Sequence, residues 1–176
     1  LALGVVTAAF ASMLFAANLA TPLYAGYAQQ YSFSTATLAL IFAVYALVLI
    51  PALLLFGQIS DRLGRRPAIA IGLALAICAL ILFACAQNVA WLFAARAVQG
   101  LAQGMMSGAA TAALAELAGG SNTRRAALLA TLAQAGGAMT GVAVSGVLAQ
   151  WAPAPHVIPF VAGMVVCALA AALLPL

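Results

Sequence analysis

The sequence predicts an all-α membrane protein, a six-transmembrane-helix bundle forming a single domain over residues 1–176, and three observations carry that prediction. The chain is 68% hydrophobic and only 5% charged, with a mean hydropathy of +1.21, too little polar surface to keep 176 residues dispersed in water. Five short polar stretches, at 28–35, 58–67, 86–89, 119–125 and 150–156, leave six apolar segments, and a spanning helix takes about 20 apolar residues. Those segments lack the alternation over about ten residues that marks a membrane β-strand. Helices remain, because they bond every backbone group internally.

Taken in order, the predicted spans are 3–27, 35–57, 67–86, 89–117, 124–150 and 157–176. The first carries Ser12, Asn18 and Thr21. The second has Tyr45 as its polar handle and Pro51 as a site for a kink, tolerated where neighbours or water satisfy the freed carbonyl. The third and sixth contain almost no side chain able to hydrogen-bond and read as lipid-facing. The fourth carries Arg96, Gln99, Gln103, Ser107 and Thr111, and the fifth Thr131, Gln134, Thr140 and Ser145. The first, fourth and fifth spans are therefore expected to face protein or water.

An even number of spans puts both termini on one side. All six basic residues are arginines: Arg62, Arg65 and Arg66 lie in the second connection, Arg124 and Arg125 in the fourth, and Arg96 within the fourth span. The positive-inside bias makes those two connections, and both termini, cytoplasmic. The net charge of +4 is this asymmetry, so no nucleic-acid partner is expected. Leu1 is not an initiator and the chain opens inside an apolar stretch, which reads as a piece of a longer protein. The first span has no basic flank and is too long for a signal peptide. Cys78, Cys85 and Cys167 match no metal spacing, so neither metal nor cofactor is expected.

Helical geometry sharpens the fourth span. At about 100° per residue, Gln99, Gln103 and Ser107 fall within a narrow stripe around Arg96. Gly100, Gly104 and Gly108 form the adjacent ridge of small residues, of the kind that lets membrane helices approach closely. Arg96 lies roughly 12 Å inside the helix start. It either snorkels to the outer surface or is kept by an aqueous cavity or an acidic partner, and the glutamines beneath it favour the cavity. Asn18 sits at a similar depth. The expected substrate cavity is Asn18, Tyr45, Arg96, Gln99, Gln103 and Gln134. Glu116, about 40 Å along the same helix, emerges near Arg124 and Arg125 as an exposed charge or as part of a network with Asp61.

These residues carry a resemblance. "GQISDRLGRR" at 57–66 resembles the loop signature G-x-x-x-D-[RK]-x-G-[RK]-[RK] of the major facilitator superfamily, between the second and third helices, and matches every fixed position. "RAVQG" at 96–100 resembles the R-x-x-Q-G signature of its fourth helix, and "AEL" at 115–117 followed by Arg124 and Arg125 resembles the pattern closing that helix. The resemblance covers the whole chain as the amino-terminal six-helix half of a twelve-helix secondary transporter. It implies small-solute transport by alternating access, a carboxy-terminal half as partner, protons as a coupling ion, and a bacterial inner membrane. It also implies that Asp61 latches onto the amino-terminal end of a helix in the opposite half. Gly57 would then let helices approach, Gly64 would allow a tight turn, and Arg62, Arg65 and Arg66 would pair with Glu116 or with lipid headgroups.

The resemblance also implies proton-coupled efflux of drug-like compounds, from whose pattern the chain departs in part. "GAMTGVAVSG" at 137–146 resembles the G-x-x-x-G-P-x-x-G-G of drug:proton antiporters, but with Val142 for the Pro and Ser145 for a Gly. A packing face of Gly137, Gly141 and Ser145 reads the same stretch equally well. The first helix offers Asn18 where many proton-coupled members have an acid. A sugar or organic-acid carrier is the alternative within the family. An intramembrane hydrolase using Ser145 or Ser107 with His156 would want G-x-S-G, and residues 143 and 105 are Ala and Met; no enzyme activity is expected. A six-helix channel is the other rival.

Overall fold

The computed structural model describes residues 2–119 and 122–174, with the side chains of residues 57–62 outside that description. Among the described residues the structure is all-helical. The first span is not one rod. Helix α1 (Ala2–Asn18) ends, a single 3₁₀ turn (Thr21–Leu23) follows, and α2 (Tyr24–Gln30) completes the crossing. Pro22 explains the break, since it has no N–H to offer the carbonyl of Asn18 four residues back. Helix α3 (Thr35–Leu63) continues through Pro51, and the proline at which a span is interrupted is Pro22.

Helix α3 starts at Ser34, whose hydroxyl accepts the Thr37 N–H at 3.2 Å. A single residue, Gly64, separates it from α4 (Arg65–Ala84), and its φ of +93° with ψ of 156° belongs to a region open only to glycine. Asn88 caps α5 (Val89–Leu117) by accepting from Ala90 at 3.0 Å, and Asn122 caps α6 (Thr123–Trp151) by accepting from Arg125 at 3.2 Å. Helix α7 (Ile158–Leu173) begins with Pro159 in its first turn, where a missing N–H costs nothing.

Packing is organised around α5, which buries residues along its whole length and touches α1, α3, α4 and α6. Its glycines set the closest approach. A Cβ at Gly100 would lie 2.7 Å from the Tyr45 carbonyl oxygen, and one at Gly104 would overlap Ala52, so α3 lies against α5 backbone to backbone. Gly108 is half-buried. The same device joins α6 to α1: Gly137 faces the carbonyl of Ala11, Gly141 that of Phe15, and the Ser145 hydroxyl donates to that of Leu19 at 2.5 Å. Both contacts repeat every four residues, along a parallel pair distant in sequence. Phe83 of α4 stacks on Phe160 of α7 at 5.4 Å.

Four helical segments, Ala2–Gln30, Thr35–Phe56, Arg65–Ala84 and Thr123–Trp151, are long and apolar enough to cross a membrane, and Ile158–Leu173 is apolar but shorter. Helix α5 is long enough but carries the polar stripe, which its neighbours cover. Helices α4 and α7, the third and sixth spans, each bury one face and leave Ile71, Ile81, Val161, Val165 and Leu169 exposed on the other. Only 11% of the apolar span of α3 and 17% of that of α6 is buried. The two barest helices are those bonded to the bundle through glycine ridges, which contact along a narrow line and leave Leu47, Leu54, Leu132 and Met139 more than 60% exposed. Such surface belongs in lipid or against another apolar partner.

Candidate functional site

The break in the first span creates the site. Carbonyls at and just past the end of α1 lose their partners within the helix. Ser145 satisfies Leu19, and Gln99 of α5 donates from Nε2 to Ala17 at 3.1 Å. Gln99 Oε1 then accepts from Arg96 Nη1 at 2.6 Å, and Arg96 Nε donates to the Tyr24 hydroxyl at 2.5 Å. Tyr24 opens α2, immediately after the break. A continuous polar chain thus runs from the α1 backbone through Gln99 and Arg96 to α2.

Around the guanidinium stand four aromatic rings from three helices. Its central carbon is 4.8 Å from the ring centre of Phe42, 5.1 Å from Tyr24, 5.5 Å from Tyr45 and 5.8 Å from Phe83. All lie within range of a cation–π attraction, which strengthens when water is excluded. Arg96 is 4% exposed and Gln99 2%. In this conformation neither reaches the outer surface nor open space, and the partners of Arg96 are neutral. The snorkelling alternative and the acidic partner are both replaced by hydroxyl, amide and ring faces.

Gln103 marks the midpoint of α5, fourteen residues from each end. Its Nε2 donates to Ser107 Oγ at 3.0 Å, while its buried Oε1 has no hydrogen-bond partner among the described residues. Tyr45 is half-buried beside the cage. Asn18 is also half-buried, donates to the Leu14 carbonyl at 2.8 Å, and lines an open depression with Ala138, Met139, Val142 and Ala143 of α6. Gln134 is exposed on α6, one turn from Ala138. The structure therefore brings Tyr45, Arg96 and Gln99 together, places Gln103 one turn further along, and leaves Asn18 and Gln134 on the open side.

The charge network lies at the opposite end of α5 from Arg96. Arg65 donates to Glu116 Oε1 from both Nε and Nη2, each at 3.0 Å. Arg66, Arg124 and Arg125 are exposed. Ala2 and Leu174 approach Arg65 and Glu116, so the two ends of the described chain lie on the arginine-bearing side. Gly57, Asp61 and Arg62, assigned to the latch from sequence, lie outside the described residues, apart from their helical backbone.

Sequence reading missed the cage. Tyr24, Tyr27 and Tyr31 recur at helical spacing, a signal for the inward face of α2 but not for Phe42, Tyr45 and Phe83. Tyr27 donates to the Phe83 carbonyl at 3.1 Å and Tyr31 to that of Ala86 at 2.6 Å, so α2 is pinned to α4. His156 lies with its ring 4.9 Å from that of Tyr27, in the gap left by Gly26. The Ser145 hydroxyl is already committed to Leu19, and Ser107 is engaged by Gln103.

Compared with known families, residues 1–176 match the family model described as Major Facilitator Superfamily. No curated protein matches the chain.

Proposed function

The chain belongs to the Major Facilitator Superfamily over its whole length, and on that premise we propose that this integral membrane protein works as one six-helix half of an exporter of drug-like compounds. Membership makes it a secondary transporter. The finer reading places the arginine-bearing end in the cytoplasm of a bacterial cell, docks the bare faces of α3 and α6 on a second six-helix bundle or lipid, and couples export to protons. The two halves rock about a midplane site.

The observation that carries this reading is Gln103 Oε1. Among the described residues it is a buried acceptor without a partner, at the midpoint of α5. An unpaired buried polar group costs about 1–3 kcal/mol, and a solute N–H or O–H reaching it as the bundle opens would recover that. Asn18, Tyr45, Arg96, Gln99 and Gln134 complete the proposed cavity. Gln103→Leu in the full-length transporter is expected to change the apparent affinity for substrate without loss of expression. An unaltered binding curve would remove Gln103 from the site.

Asp61 is assigned the latch at the cytoplasmic side, flanked by Gly57, Arg62, Gly64, Arg65, Arg66, Glu116, Arg124 and Arg125. A helix N-terminus stabilises an anion by up to about 2 kcal/mol, a factor of about 30 in the population of the closed state. Asp61→Asn should cripple transport in proteoliposomes while the protein still reaches the membrane. Unchanged flux would sink the latch.

A further inference from the structure

At the arginine-bearing end, α1, α4, α5 and α7 enclose a cavity of about 270 Å³. Its walls are apolar and buried: Val6, Ile69, Ala113 and Leu174. Its polar groups are the three charged side chains Arg65, Arg66 and Glu116, and the last two are exposed, so they stand at the mouth. They do not cancel. Glu116 is engaged by Arg65, while Arg66 has no hydrogen bond or ion pair among the described residues. Among the described residues the mouth therefore carries one excess positive charge, where α4 begins and α5 ends.

We infer that this cavity binds an anionic phospholipid, with its phosphate at Arg66 and its glycerol and first acyl carbons against the apolar walls. A hydrated inorganic anion would satisfy Arg66 but leave those walls in contact with water. A lipid needs to insert only part of itself, since the rest stays in the bilayer. Basic pockets between transmembrane helices at the cytoplasmic face hold acidic headgroups by the same chemistry. Assignment to the cytoplasmic leaflet rests on the orientation proposed above, but retention of the lipid does not.

The test uses the full-length protein purified in dodecyl maltoside, with phosphatidylglycerol or phosphatidylcholine of the same acyl chains added to the micelles. Bound lipid is counted by native mass spectrometry. Phosphatidylglycerol should be retained and phosphatidylcholine lost. Arg66→Ala should weaken retention about fivefold, the value of one arginine at an anionic surface, and Arg66→Lys should keep most of it, because an ammonium still binds phosphate as a point charge. Val6→Trp, which fills the cavity and leaves Arg66 in place, should abolish it. Should Val6→Trp misfold, Arg66→Ala, on the exposed rim, decides alone. Equal retention of the two lipids, undiminished retention in Arg66→Ala, or displacement by millimolar inorganic phosphate overturns the inference. Wild-type protein that transports and responds to Asp61→Asn but holds no phosphatidylglycerol overturns this inference alone; retained lipid with unresponsive Asp61→Asn overturns the latch alone.

Discussion

A buried cation with only neutral partners is the residue on which the site turns. Placing an arginine at the centre of a spanning helix costs about 2.5–3.5 kcal/mol by insertion scales, and Arg96, between that centre and the helix start, bears part of it. Arg96 offsets this with two short hydrogen bonds and four ring faces. The contributions differ in kind, which separates two substitutions. Tyr24→Phe keeps the ring and loses one bond, so it should lower stability by about 1 kcal/mol or less. Gln99→Leu strips a partner from Arg96 Nη1 and from the Ala17 carbonyl at once, and should cost about 1–3 kcal/mol. Thermal unfolding in detergent measures both, and equal shifts would contradict the polar chain described here. The stripe holding Arg96 and Gln99 was legible in the sequence because it lies on one helix. The cage was not, because its rings come from α2, α3 and α4, and no spacing along the chain links them.

At the scale of elements, glycine decides which helices touch. Gly104→Ala would push a methyl into Ala52 of α3, and Gly137→Ala would meet the Ala11 carbonyl, an atom of the backbone that cannot swing away. Each is expected to destabilise by about 1–3 kcal/mol through overpacking. Gly136→Ala and Gly146→Ala meet nothing within 4 Å and should gain up to about 1 kcal/mol from helix propensity. Melting temperatures for the four variants test the contrast, and a common sign for all of them would refute it. Gly64→Ala has space but not the backbone conformation, and should cost about 1–3 kcal/mol. The helices themselves follow from caps and apolar runs that the sequence displays. The break at Pro22 and the continuity of α3 through Pro51 do not, since both residues look alike until their neighbours are known.

For the whole molecule, the two tight contacts join the first span to the fifth and the second to the fourth, with sequential neighbours packed around them. That arrangement leaves α3 and α6 as ribs with bare apolar faces, and it gathers both ends of the described chain beside the charge network. The Arg65–Glu116 pair is too exposed to hold the bundle together: such pairs contribute about 0–1 kcal/mol. Glu116→Gln should therefore barely move the melting temperature of the full-length protein. If the pair belongs to a network that sets the cytoplasmic closure, the same variant should alter transport rate. A large thermal shift with normal transport would assign the pair to stability instead.

Composition and the spacing of polar interruptions determined by themselves that this chain is helical and spans a membrane, because a bilayer leaves an apolar backbone few ways to satisfy its hydrogen bonds. The motifs at 57–66 and 96–100 carried the family. Tertiary structure alone decided that four aromatic rings surround Arg96, that Gln99 and Ser145 mend a broken helix, and that Gln103 keeps one acceptor unused among the described residues. The physical reason is common to all three. A polar side chain in a low-dielectric interior is defined by the partners that reach it, and those partners lie on other helices, up to 126 residues away along the chain.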